Sequence, residues 1–110
     1  MGIAETATGS TTLSDTSETQ LSTDITTAGT YQLLVDLSNM ANGDDVTIRA
    51  KVKVKSAETA IVAFERTFTH AAGVEKIVIT PPFPIGTHIG FFLQRATGSN
   101  AYVWSIIGYT

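Results

Sequence analysis

The sequence predicts an all-β fold: an antiparallel, jelly-roll-like β-sandwich of seven to eight strands with a flexible N-terminal arm. Short segments alternate apolar and polar residues at period two, which places one set of side chains on each face of a strand. Turn residues such as Gly, Pro and Asn-Gly separate these segments. No segment has a helical pattern long enough for the crossovers that a parallel sheet needs. At 110 residues the chain has the size of one domain.

Residues 1–17 form the predicted arm, and residues 18–110 form the predicted sandwich. The arm is rich in Thr, Ser, Gly and acidic residues, and its aliphatic residues Ile3 and Leu13 are isolated. Such a segment buries too little apolar area to offset the entropy lost on ordering. Its threonines nevertheless suit β structure, so the alternative is an arm that adds a strand to the sheet edge of a neighbour.

The strongest strand signal is the segment VTIRAKVKVK, from Val46 to Lys55. Its apolar residues alternate without a break against one threonine and four basic residues, so one face is expected in the core and the other in water. At a rise of about 3.3 Å per residue it would span about 33 Å, enough to cross a small domain. The other strands are predicted near Thr19–Ile25, Tyr31–Leu37, Thr59–His70, Glu75–Thr80, His88–Gln94 and Ala101–Ile107.

The turn after Lys55 predicts a hairpin with the next strand. If Val54 lies opposite Val62, then Lys51 lies opposite Glu65, and the apolar faces of both strands agree. The strand Glu75–Thr80 is expected to stop at Pro81-Pro82-Phe83-Pro84, because proline cannot donate to a β-ladder.

Composition argues against several classes of function. The chain has no cysteine, so disulfides and thiolate metal sites are excluded. Its net charge of -3 disfavours nucleic acid as a partner, and no apolar run reaches the length of a membrane span. Neither His70 nor His88 lies in a metal or nucleophile motif, and no phosphate-binding or dinucleotide motif is present. We therefore expect no catalytic residues, no metal and no cofactor.

Three groups of residues are predicted to contact a partner. The basic row of the central strand is interpreted as a docking strip for an acidic surface, or alternatively as a solvated face with cross-strand ion pairs. Arg66 falls on a predicted core face, where it needs Asp36, Glu75 or a subunit interface as its partner. Tyr102 and Trp104 share one side of the last strand, either in the core or as an aromatic contact surface. The candidate residues are Arg49, Lys51, Lys53, Lys55, Arg66, Tyr102 and Trp104.

Two segments resemble a known class of proteins. They are GTYQLLVDLSNMANGDDVTIRAKVKVKS, from Gly29 to Ser56, and FFLQRATGSNAYVWSI, from Phe91 to Ile106. They resemble small β-rich virion proteins that are encoded among the head and tail genes of tailed bacteriophages. The resemblance covers about two thirds of the chain, matches best at IRAKVKVK and NGDD, and excludes the arm.

The resemblance implies a structural role in the virion and no catalysis. The expected function is that of a capsid decoration or cement protein, made in the host cytoplasm and bound to the capsid surface. There it would bridge and stabilise subunits of the major capsid protein, as a homo-oligomer such as a trimer. The alternative is a carbohydrate-binding or receptor-binding module of a tail or fibre, with Tyr102 and Trp104 as stacking residues. Neither nucleic acid nor a membrane is an expected partner.

Overall fold

The computed structural model describes residues 3–13, 15–38, 43–55, 57–69, 77–95 and 100–109, with only the backbone described at residues 3 and 100. These residues contain nine strands and no helix. The strands are β1 (Ile3–Leu13), β2 (Thr19–Ile25), β3 (Gly29–Asp36), β4 (Asp45–Lys53), β5 (Ile61–Thr69), β6 (Ile77–Ile79), β7 (Phe83–Ile85), β8 (His88–Gln94) and β9 (Asn100–Tyr109).

The strands form two antiparallel sheets. Sheet A has the order β1-β9-β3-β6, with β7 also paired to β3, and sheet B has the order β2-β8-β4-β5. If β6 and β7 are taken as two halves of one strand, the two sheets have four strands each, in the order of a jelly roll. The predicted fold class is therefore confirmed.

The core lies between the two sheets and follows the predicted alternation. Every second residue of the central strands points inward and is buried, as in β3, where Tyr31, Leu33 and Val35 are almost inaccessible to solvent. The other strands contribute Leu13, Leu21, Val46, Ile48, Ala50, Val78, Ile89, Phe91, Leu93, Tyr102, Trp104 and Ile106. Neither sheet could cover its inner face alone, so the packing of one sheet on the other stabilises both.

Thr80 lies between β6 and β7, which both pair with the edge of β3 that faces away from β9. Its backbone N–H donates to the Leu33 carbonyl over 3.0 Å, and its hydroxyl accepts a hydrogen bond from the Leu33 N–H, also over 3.0 Å. The hydroxyl thus replaces a backbone carbonyl just before two prolines, which have no N–H to donate. The expected end of the strand at the prolines is only an interruption, because pairing with β3 resumes in β7, where Pro84 lies opposite Thr30.

The segment predicted as a flexible arm is largely a strand of the chain's own sheet. β1 pairs with β9 along its whole length, from Ile3 opposite Tyr109 to Leu13 opposite Asn100. Composition reflects only what the segment buries by itself. It does not reveal the unpaired backbone of β9, which forms a ladder with β1, or the inner face of β9, against which small β1 residues pack.

The predicted hairpin register is shifted by two residues. Glu65 lies opposite Arg49 instead of Lys51, and a bulge follows between Ala50 and Lys51. A shift of two keeps the side chains from Asp45 to Ala50 on their predicted faces, so alternation cannot detect it. Beyond the bulge the offset is three, so Val62 lies opposite Lys51 on the outer face instead of opposite Val54. The strand also ends at Lys53, and Val54 beyond it is 81% exposed.

Candidate functional site

Two of the four basic residues in the predicted docking strip belong to an ionic cluster on the outer face of sheet B. Arg49 Nη1 lies 2.8 Å from Glu18 Oε2, and its Nε donates to Glu65 across the hairpin. Lys51 Nζ lies 2.5 Å from the other Glu18 oxygen and 4.4 Å from the centre of the Phe92 ring. Glu18 therefore connects the start of β2 to β4. For Arg49 and Lys51 the structure agrees with the alternative interpretation of this row, a solvated face with cross-strand ion pairs.

The charges in this cluster stabilise one another. Burial of Glu18 disfavours its charged form, but hydrogen bonds from Lys51 and Arg49 outweigh that penalty and lower the pKa of the Glu18 carboxyl. The hydrogen bond to Glu65 in turn raises the pKa of Arg49. Cations that are already paired with carboxylates of the same chain attract an acidic partner only weakly, so Arg49 and Lys51 are poor candidates for a docking strip.

Lys53 and Lys55 lie at the other end of the row. Lys53 is half-buried opposite His88, and Lys55 is exposed just after the strand ends. His88 Nε2 is 3.6 Å from Asp24 Oδ1 in the bulge of β2, so this edge of sheet B also carries charged and titratable groups.

Arg66 is exposed within the single chain, so it is not buried in the core as its predicted face suggested, and the subunit-interface alternative stays a prediction. It lies opposite Ile48 on the inner side of β5, as predicted, but β5 is an edge strand of sheet B. Its guanidinium packs over the Phe68 ring, 5.1 Å from the centroid. Asp36 lies on the outer face of sheet A, and Glu75 is outside the described residues.

Tyr102 and Trp104 lie in the core, 1% and 7% exposed respectively. The Trp104 indole N–H donates to the Thr11 hydroxyl over 2.9 Å, so β1 both covers the ring and satisfies its polar atom. The core alternative therefore holds for both residues, and they are removed from the predicted partner contacts.

The outer face of sheet A differs sharply from that of sheet B. The described strands of sheet A contain only two charged residues, Glu5 and Asp36, and both are acidic. Large apolar side chains are exposed across three strands of this face. We define the sheet A patch as Leu34, Ile77, Ile79 and Val103; all but the half-buried Leu34 are more than half exposed.

The strand register explains how the sheet A patch forms. Asp36 lies between Val103 and Ile77, and Leu34 pairs with Ile79 in the next row. Leu34, Asp36, Ile77, Val103 and Ser105 are among the residues that line a shallow groove of about 250 Å³. An apolar, nearly uncharged sheet face of this kind is typical of a surface that another protein covers.

A second exposed apolar group lies where β4 turns towards β5. We define the hairpin patch as Val54 and Ile61, which are 81% and 61% exposed, whereas Val62 lies on the outer face opposite Lys51. Val54 and Ile61 line a depression of about 280 Å³ together with Lys55, Glu58 and Thr59. The two patches contain five of the six exposed large hydrophobic residues in the part of the chain that the structure describes, and Val62 is the sixth.

Sequence reasoning missed both patches, although a signal for each was present. In IVI of β6 and in YVWSII of β9 both alternating sets are apolar, so each strand has an apolar outer face as well as a core face. A strand of this kind is covered on both sides or exposes an apolar surface. The alternation of β4 predicts a core position for Val54, but the strand ends at Lys53, one residue earlier, and Val54 is exposed.

No protein-family model, curated protein or solved structure matches the chain. The resemblance to phage virion proteins therefore stays a prediction.

The described residues bring no three His, Asp or Glu side chains together in a way that could hold a metal ion. Within the same residues, no helix is long and apolar enough to cross a membrane.

Proposed function

We propose that this chain is a structural protein of a bacteriophage virion, a capsid decoration or cement protein that bridges subunits of the major capsid protein. The observation that carries the proposal is the pair of exposed apolar patches on one small sandwich. A bridging protein needs at least two contact surfaces. The sheet A patch and the hairpin patch would supply them.

Two further features support a role in assembly. The jelly-roll strand order is used by viral capsid domains, although the same order also occurs in lectins and in enzymes, so the fold by itself carries no function. The sequence resemblance to phage virion proteins points to the first of these groups. In a virion, a protein that binds only the assembled lattice stabilises it by its binding free energy.

The carbohydrate-binding alternative has lost the residues on which it depended. Tyr102 and Trp104 were its stacking platform, and both face the core. A buried aromatic ring offers no face to a sugar, so Tyr102 and Trp104 cannot form a sugar-stacking platform.

The test is a deletion of the coding sequence from the phage that encodes the chain. Heads that lack the protein should break at a lower temperature than complete heads, and adding back the purified protein should restore the difference. Addition of a variant with Ile79→Lys should restore less, because a lysine in the sheet A patch disrupts an apolar contact. The proposal would be overturned if heads made with and without the coding sequence had the same protein composition and the same heat stability.

A further inference from the structure

We propose that a groove beside Tyr109, on the outer face of sheet A, binds the pyranose ring of an uncharged sugar. The groove has a volume of about 400 Å³ and is lined by Thr30, Gln32, Pro82 and Tyr109. Small-molecule sites in proteins have volumes of about 300–1,000 Å³, so the groove is large enough for such a ligand. The inference does not depend on the proposed role in a virion.

The groove lies away from the Val103 end of the sheet A patch. Tyr109 is opposite Thr30 at one end of β3, whereas Val103 is opposite Asp36 at the other end. The step from Thr30 to Asp36 along the strand corresponds to about 20 Å. Substitutions at the two ends of this face can therefore be tested separately.

Hydrogen bonds hold the ring of Tyr109 in one orientation. Gln32 is its diagonal neighbour across the two strands, and the Tyr109 hydroxyl donates to Gln32 Oε1. Gln32 Nε2 donates in turn to the Thr80 carbonyl over 2.8 Å. Thr80 is 2% exposed and is bonded to the backbone of Leu33, so this chain of hydrogen bonds ends on a buried residue. A side chain that is already fixed loses little further entropy when a ligand binds.

The same contact places the ring along the sheet. To reach Gln32 from β9, the Tyr109 side chain extends over β3. Tyr109 is half-buried, so one face of its ring packs on the sheet and the other borders the groove. An open aromatic face with its polar end already bonded is suited to stack on the C–H face of a sugar ring.

The amide of Gln32 suits the hydroxyls of a sugar. A primary amide has two N–H donors and an oxygen with two lone pairs, and Gln32 uses one of each in the bonds to Thr80 and Tyr109. One donor and one lone pair remain on neighbouring atoms. Two adjacent sugar hydroxyls can accept from the first and donate to the second. The hydroxyl of Thr30 adds a further donor and acceptor at the same groove.

The remaining chemistry of the groove narrows the class of ligand. The described residues that line it are all uncharged, so a charged ligand would lose water there without gaining an ion pair. A proline-rich peptide could also pack on Tyr109 and Pro82, but proline has no N–H to donate to the Gln32 oxygen. An aromatic face beside an amide that both donates and accepts therefore favours an uncharged sugar.

NMR titration of the isotope-labelled full chain tests the site. The probes are the methyl glycosides of glucose, galactose, mannose and N-acetylglucosamine, each compared with sorbitol, an acyclic polyol. At least one glycoside should shift the side-chain amide signals of Gln32 and the backbone amide signal of Thr30, and these shifts should saturate. Sorbitol has no ring to stack on Tyr109, so it should produce no saturable shift.

Two variants each remove one part of the site. Tyr109→Ala removes the stacking face, and Gln32→Leu removes the amide but keeps most of its bulk. Each should weaken binding of the glycoside by about tenfold or more. Val103→Ala is the matched control, because it shortens an exposed side chain at the other end of the same face, and its affinity should be unchanged. The dispersion of the backbone amide signals shows whether each variant is folded.

Three results would overturn the inference. The first is the absence of saturable shifts with all four glycosides. The second is equal affinity for a glycoside in the unaltered protein and in either folded groove variant. The third is a set of Gln32 shifts that hexaproline produces and the glycosides do not, which would assign the groove to a peptide. None of these results bears on the heat stability of heads, so failure here is distinct from failure of the virion role.

Discussion

Gly9 of β1 lies directly against the indole ring of Trp104 in β9, and a Cβ added to Gly9 would come within 2.9 Å of ring atom Cζ2. Real Cβ atoms do not approach that closely, so β1 can pair with β9 here because Gly9 has no side chain. Through this contact β1, which composition alone predicts to be part of a flexible arm, covers one edge of the core.

Gly9→Val should therefore destabilise the fold. The added side chain must displace either the buried ring or the β1 backbone, which costs about 1–3 kcal/mol of unfolding free energy. Urea unfolding followed by the fluorescence of Trp104, the single tryptophan, measures this directly. Ser10→Val is the control, because Ser10 is the exposed neighbour on the other face of β1. Equal stabilities for the two variants would contradict the close contact.

Removal of residues 1–13 should damage the fold itself. The truncated chain loses the β1 ladder and the Thr11 hydroxyl that accepts from the indole, and it exposes Trp104 to water. We expect a red-shifted fluorescence maximum and a lower midpoint of thermal unfolding than for the full chain. A flexible arm, in contrast, could be removed with neither change. An unaltered spectrum and midpoint would therefore favour a flexible arm over a paired strand.

Glu18→Gln should weaken the fold at neutral pH but not in acid. The pKa of Glu18 is lowered from its usual 4.5, so the charged carboxylate is bound more tightly in the folded state. Its contribution, about 0.5–1 kcal/mol for a partly exposed cluster, is present above pH 4.5 and disappears as pH falls through the folded-state pKa. Urea unfolding of the original and variant proteins at about pH 7 and at about pH 3 tests this, because the difference between them should be smaller in acid.

Glu58→Gln is the control for Glu18→Gln, since Glu58 is exposed in the turn between β4 and β5. It should leave the free energy of unfolding nearly unchanged at both pH values. If the original protein and the Glu18→Gln variant differed in stability by the same amount in acid as at neutral pH, the effect would come from packing and not from charge.

Ser22→Gly should stabilise the protein. Ser22 has a φ of 69° in the bulge of β2, a left-handed conformation that costs energy in residues with a Cβ. Glycine removes that cost, and even after its larger entropy in the unfolded chain we expect a gain of about 0.5 kcal/mol. Thr23→Gly, one residue later, should instead lower the thermal midpoint. A midpoint that falls equally in both variants would contradict strain at Ser22.

The sequence by itself determined most of the residues that face the core. Alternation at period two depends only on local geometry, so the inward sets of β3, β4, β8 and β9 were all predictable. Turn residues likewise marked most strand boundaries. These rules operate within a few residues. The short spacing between the predicted strands, with no helix between them, also predicted the antiparallel sandwich.

Only the tertiary structure decided how the strands meet. The pairing of Arg49 with Glu65 differs from the predicted pairing by two residues, a shift that preserves faces and so leaves no trace in the pattern. Arg66 is exposed because β5 is an edge strand, and Trp104 is buried because β1 returns to cover it from almost a hundred residues away along the chain. Exposure depends on which strands become neighbours, and distant segments of the chain determine that. For the same reason the sequence did not predict that Leu34, Ile79 and Val103, which lie on three different strands, form one apolar surface.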